Sequence, residues 1–276
     1  MRTRGCWQRL ARQTNRTRLL GQAIGILDVK SNGKFDSRKG NVFRGMSSKL
    51  LDFLKLSLLG NDINPAQSVK DVRVIFDPTL SFDSHISTVV SSCMSKLSQI
   101  SRIRFVFDKQ LLETIINALV FNKLYYCSSV WSSTSACNIR KLLYVQNFAA
   151  RTICNVKKYD HISLVLRNLR WLPVKTQLYC RDATLTFKCM TDQAPEYLTS
   201  MYITRGSVSG RITRNFQRLN IPLFKTATGQ KTFYYKSVSI WNKLDPSLKL
   251  CKSPASFKRA LKNHLLNEFL NWPYFI

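Results

Sequence analysis

A chain of 276 residues with 45% hydrophobic content is long enough for one or two domains with a sizeable buried core. Its 43 lysines and arginines stand against 15 aspartates and glutamates, and the resulting net charge of +28 makes a polyanion the expected partner, nucleic acid ahead of an anionic membrane surface. No run approaches the roughly 18 apolar residues needed to span a bilayer, which excludes a membrane-spanning protein. Eight scattered cysteines without a signal-peptide-like apolar segment exclude a secreted disulfide scaffold, so an intracellular, reducing compartment, nucleus or cytoplasm, is expected.

Residues 1–61 read as a basic leader and linker, largely disordered. Six arginines (Arg2, Arg4, Arg9, Arg12, Arg16, Arg18) precede the first acid, Asp28, and residues 30–45 are rich in Ser, Asn, Gly, Lys and Arg, which bury little apolar surface. An arginine-rich, acid-free start also suits a mitochondrial presequence, but Trp7, Leu10, Ala11, Leu19 and Leu20 form a poor helical face. Within residues 62–80, Val72, Val74 and Phe76 alternate with Arg73, Ile75 and Asp77 before the turn at Asp77-Pro78, which predicts one short strand at the end of a sheet.

Helices follow. Phe82, Ile86, Val89, Val90, Cys93, Leu97, Ile100 and Ile103 recur at steps of mostly three and four, with Asp83 placed to cap the first turn. Leu111, Leu112, Ile115, Ile116, Leu119, Val120 and Leu124 give a second, wider apolar face, and Ile139, Leu142, Leu143, Ala149, Ala150 and Ile153 a third. Asp160 is placed to cap a short helix through Ile162, Val165, Leu166 and Leu169. Proline disfavours helix at the residue before it but suits a first helical turn, so Trp171-Leu172-Pro173 reads as a corner before a helix at 174–190. Residues 206–229 read as loop with short extended pieces, and two further helices are predicted around Trp241 and Leu261. The predicted class is mainly α: a short strand, a three-helix region at 81–158 and a basic helical region at 159–276.

Charge is unevenly spread along this plan. Residues 62–136 carry seven basic and six acidic side chains, residues 138–181 nine against one, and residues 205–262 thirteen against one. The polyanion-facing residues are therefore sought in the second half, where Arg140, Lys141, Arg151, Lys157, Lys158, Arg167, Arg170, Arg211 and Arg214 are interleaved with aromatics such as Tyr144, Tyr159 and Phe216. Cations neutralise phosphates, and exposed rings stack on bases. Trp171 and Trp241 belong to apolar periodic faces and are assigned to packing rather than to stacking.

No catalytic centre is legible. There is no adjacent aspartate pair and no glycine-rich phosphate loop, and His85 and His161, although near Asp83 and Asp160, are joined by no nucleophile in a known motif. Asp77, Asp83 and Asp160 read as cap or turn residues. The cysteines lack close metal-binding pairs, and Cys180 and Cys189, nine apart on a helix, stand about 180° around it. They read as small buried hydrophobes.

Six phrases in order, VRVIFDPTLSFDSHI (72–86), LYYCSSVW (124–131), LLYVQNFAARTI (142–153), HISLVLRNLRWLPVK (161–175), SIWNKLDPSL (239–248) and SFKRALKNHLL (256–266), resemble the C-terminal part of the jockey-like, LINE-type non-LTR retrotransposon reverse transcriptases. The resemblance covers residues 62–268. It implies a palm-edge strand at 62–80, a helical thumb at 81–158 that holds template and primer, and a further helical region beyond. The family activity is RNA-directed DNA synthesis with Mg as cofactor, but its paired aspartates lie upstream of the first matching phrase, and this chain contains none. It also departs from the family where an Asn-Leu-Gly-Val strand is replaced by Asp71-Val72-Arg73-Val74, a bulky Arg for a permissive Gly. The expectation is a truncated polymerase fragment without cofactor of its own, inactive alone and retaining at most binding to RNA, DNA or an RNA-DNA hybrid. Two alternatives are a host-used RNA- or DNA-binding adaptor and a polymerase subunit completed by a palm-carrying polypeptide.

Overall fold

The computed structural model describes residues 56–58, 61–63, 68–77, 79–210, 214–224 and 227–271. The chain divides at 65/66 into two compact units. In the first, β1 (Leu56–Leu58) pairs antiparallel with β2 (Asn61–Ile63), Leu58 opposite Asn61. Of the leader expected over 1–61, residues 56–58 and 61 lie in these strands, and the rest, residues 1–55 with their arginines and 59–60, lies outside the described residues.

The second unit is mainly helical and opens on a hairpin, β3 (Val69–Asp71) antiparallel to β4 (Val74–Phe76), with Asp71 opposite Val74. The single strand predicted through Val72 is thus corrected. Val72 and Arg73 are the two central turn residues, at φ 45° and 65°. This is the doubly left-handed turn whose twist matches paired strands, and it favours Asn and Gly. A β-branched residue and an arginine there are strained by about 1–2 kcal/mol each. A glycine at position 73 thus meets a demand for positive φ rather than for close backbone packing. Arg73→Gly is expected to stabilise the unit by about 1 kcal/mol, the relieved strain less the extra unfolded-state entropy of glycine. Urea unfolding checks this, and a destabilised variant contradicts it.

A tight turn joins the hairpin to α1 (Asp83–Arg102). Asp77 organises it, accepting hydrogen bonds from the backbone N–H groups of Ser81 (2.9 Å) and Phe82 (2.8 Å) and from the Thr79 hydroxyl. Partial burial raises the Asp77 pKa, but these donors outweigh it and hold the carboxyl at about 2. The turn reading of Asp77 stands, whereas the cap reading of Asp83 does not. Phe82 occupies the cap position in a left-handed conformation without a side-chain cap. Asp83 is the first helical residue, and its carboxylate accepts from Asn138 Nδ2 at 2.6 Å, tying the start of α1 to a later helix. Buried His85 accepts the Ile75 N–H at Nδ1 (3.4 Å), and burial holds its pKa below the ordinary imidazole value.

The second predicted helix is three pieces in succession: α2 (Lys109–Ile116), capped by Asp108 accepting from the Leu111 N–H, a π-helical turn (Asn117–Phe121) and α3 (Asn122–Leu124). A one-turn helix, α4 (Ser128–Trp131), precedes α5 (Ala136–Cys154), which Ser135 caps. These elements enclose one core containing Val74, Ile86, Cys93, Leu97, Ile116, Val120, Leu124, Trp131, Leu142 and Val145.

After α5 comes α6 (Ile162–Asn168). Its cap position is His161, without a side-chain cap, so the capping expected of Asp160 is corrected too. The Asp160 carboxylate instead accepts the Lys157 N–H at 3.0 Å and closes a turn. The Trp-Leu-Pro corner forms as predicted. Arg170 turns the chain at φ 51°, the Trp171 N–H reaches back to the Leu166 carbonyl, and Gln146 Nε2 holds the Leu172 carbonyl at 2.8 Å.

Next comes α7 (Val174–Met190), buried on several faces. Val174 and Leu178 complete the first core. Cys180, Ala183 and Phe187 join a second one with Ile240, Leu244, Leu248, Phe257 and Leu261. The opposed Cys180 and Cys189 are both buried, as small hydrophobes. The second core is closed by α8 (Phe233–Lys243), α9 (Pro246–Lys249) and α10 (Pro254–Asn271). Between α7 and α8, Asn242 exchanges two 2.9 Å hydrogen bonds with the backbone of buried Leu219 and pins the long connection. No helix among the described residues is long and apolar enough to cross a membrane.

Candidate nucleic-acid interface

Along α5, Lys141, Tyr144, Phe148 and Arg151 fall at helical steps of three and four, so they share one face. Opposite them, α1 presents Val90 and Met94, one turn apart. Arg104 follows the end of α1, and the chain leaving α5 returns with Val156 and Lys158. Together these side chains line an open cleft of about 660 Å³. Its floor is apolar (Val90, Met94, Phe148, Val156), its rim carries four cations (Arg104, Lys141, Arg151, Lys158), and no acidic side chain lines it.

The cations are positioned. Lys141 donates to the Ser87 hydroxyl at 3.1 Å. Arg151 donates from Nε to the Lys157 carbonyl and from its terminal nitrogen to the Asp160 carbonyl, both at 3.3 Å, so the same guanidinium that faces the cleft holds the turn carrying Lys158. Lys158 Nζ lies 6.0 Å from the centroid of the Tyr159 ring, itself 91% exposed. Tyr144 is 65% exposed at the rim.

Of the nine sequence-predicted cations the cleft unites Lys141, Arg151 and Lys158. Arg140 and Lys157 are exposed beside cleft residues on α5 and on the 157–160 turn, without lining the cleft. Arg167, half-buried on α6, and the exposed Arg170 lie elsewhere. Arg214 is exposed in a distant turn, and Arg211 lies outside the described residues. Lys236, within the basic stretch 205–262, is spent on a buried aspartate, Asp182, at 2.7 Å.

Arg104 was hidden by segment charge, because four of the six acids that balance residues 62–136 are committed elsewhere: Asp77 to its turn, Asp83 to Asn138, Asp108 to a helix cap and Glu113 to Trp171. The packing assignment of the two tryptophans holds. Trp171 Nε1 donates to Glu113 at 3.0 Å with its ring edge-on to Phe121, and Trp241 packs beside Phe187.

The described residues do not fit the Mg ions of the polymerase family. No three His, Cys, Asp or Glu side chains converge among them, and the best buried carboxylate, Asp182, is bonded to Lys236 and Ser132. Comparison with family models, curated proteins and solved structures finds no match to this chain.

Proposed function

We propose that the chain binds nucleic acid through this cleft, in the role that the thumb and downstream segment play in LINE-type RNA-directed DNA polymerases: holding template and primer rather than extending them. The observation that carries this reading is a rim of four cations, free of acids, around one cleft of a +28 chain. Phosphates supply the complementary charge, and binding to them releases counterions. The sequence resemblance supports the polymerase context. A palm-carrying polypeptide is the partner this role requires, because the sequence has no adjacent aspartate pair and no carboxylate cluster converges among the described residues to hold two metal ions.

If the four rim cations together with Arg140 and Lys157 reach phosphates, log K for a duplex should fall with log salt at a slope of about −5, a loss of about 10³-fold between roughly 50 and 200 mM. Combining Arg104→Gln, Lys141→Gln and Lys158→Gln should make the slope shallower by about 3. Fluorescence anisotropy across a salt series measures both, and a slope near zero rejects the reading.

A further inference from the structure

Rim charge alone does not account for the cleft. A surface built only to meet a duplex backbone needs cations, whereas this one sets them around a depression floored by Val90, Met94 and Phe148, with exposed Tyr144 at its edge. In a duplex the flat apolar faces of the bases are stacked inside, and the surface offers phosphates and polar groove edges. A nucleotide whose base is unpaired offers both complements at once, an aromatic plane for the apolar floor and a phosphate on either side for the rim.

Resting on the nucleic-acid reading above, we infer that the cleft receives an unstacked base of a single-stranded segment, with Tyr144 and Phe148 providing the stacking surface and Lys141, Arg151 and Lys158 holding the flanking phosphates. The cleft is then selective for unpaired nucleotides over duplex, and sequence-tolerant because every base has a π face.

Anisotropy titration of the full chain with a fluorescein-labelled 12-mer single strand, the same sequence as a blunt duplex, and the single strand carrying consecutive abasic sites tests this. The single strand is expected to bind about 10-fold or more tighter than the duplex. Tyr144→Ala should weaken single-strand binding by roughly 5- to 100-fold and leave duplex binding unchanged, abasic replacement should reproduce that loss, and Tyr144→Phe should restore affinity. Tyr144 is largely exposed, so its replacement leaves the core intact. Equal affinity for single strand and duplex, with no loss on Tyr144→Ala or abasic replacement, overturns base insertion and leaves phosphate binding standing. Unchanged affinity of Lys141→Gln/Lys158→Gln for both probes removes the nucleic-acid reading, and this inference with it.

Discussion

Replacing Lys236 by methionine is expected to destabilise the helical unit by about 3–5 kcal/mol, because it strands a carboxylate that has no route to water. Asp182 on α7 is fully buried, and its Oδ2 accepts from Lys236 Nζ on α8 at 2.7 Å and from the Ser132 hydroxyl after α4 at 2.8 Å. Lys236 also donates to Ser132 Oγ at 2.8 Å, closing a three-membered network across three elements, while Asp182 Oδ1 is already without a partner. The two ends of the pair are unequal. The Lys236 side chain is 25% exposed, so Asp182→Leu leaves an ammonium that can swing toward solvent, and its loss should be smaller. Replacing both partners by apolar residues should be close to neutral, since a buried pair seldom repays its desolvation. Urea unfolding followed by far-UV circular dichroism ranks the three variants. A Lys236→Met variant within about 0.5 kcal/mol of the parent would show that the network carries no stability.

Trp131→Ala is the second large effect, about 3–5 kcal/mol. The ring is 1% exposed and 6.2 Å from the His85 ring, and its Nε1 donates to the Tyr126 carbonyl at 3.0 Å. Deletion removes the largest wholly buried side chain described and the hydrogen bond that ties a one-turn helix, too short to hold itself, to the preceding Tyr126 carbonyl. For a unit of this size the melting temperature should fall by roughly 6–20 °C. Trp131→Phe keeps most of the apolar area and loses chiefly the hydrogen bond, so its loss should be about 1–2 kcal/mol. Thermal melts of the two variants check this, and equal melting temperatures would mean that the indole N–H, not the packing, fixes α4.

Helix periodicity was the most legible layer. The helix predicted at 174–190 has those bounds, and the faces of α1 and α5 are the ones buried, because an apolar repeat at steps of three and four has one way to leave water. Turn chemistry was less legible. Asp83 and Asp160 have the residue type of a cap, but a carboxylate bonds whichever N–H the fold brings to it, here Asn138 and Lys157. The Val72–Arg73 turn was misread as strand because neither residue favours the left-handed conformation that the pairing of β3 with β4 imposes.

Composition, charge and helical period by themselves determined a mainly helical chain with its excess of cations in the second half and packed tryptophans at its corners, because net charge and amphipathic repeats are sums over local residues. Which cations converge was decided only by tertiary structure. Lys141 and Arg151 share a face that any helix would give them, but Arg104 and Lys158 join them because α1 packs on α5 and because Arg151 bonds the 157–160 turn. Lys236 was withdrawn from the surface by Asp182, 54 residues away in sequence. Pairings over such distances depend on which apolar faces bury together, a choice that no local window of sequence contains.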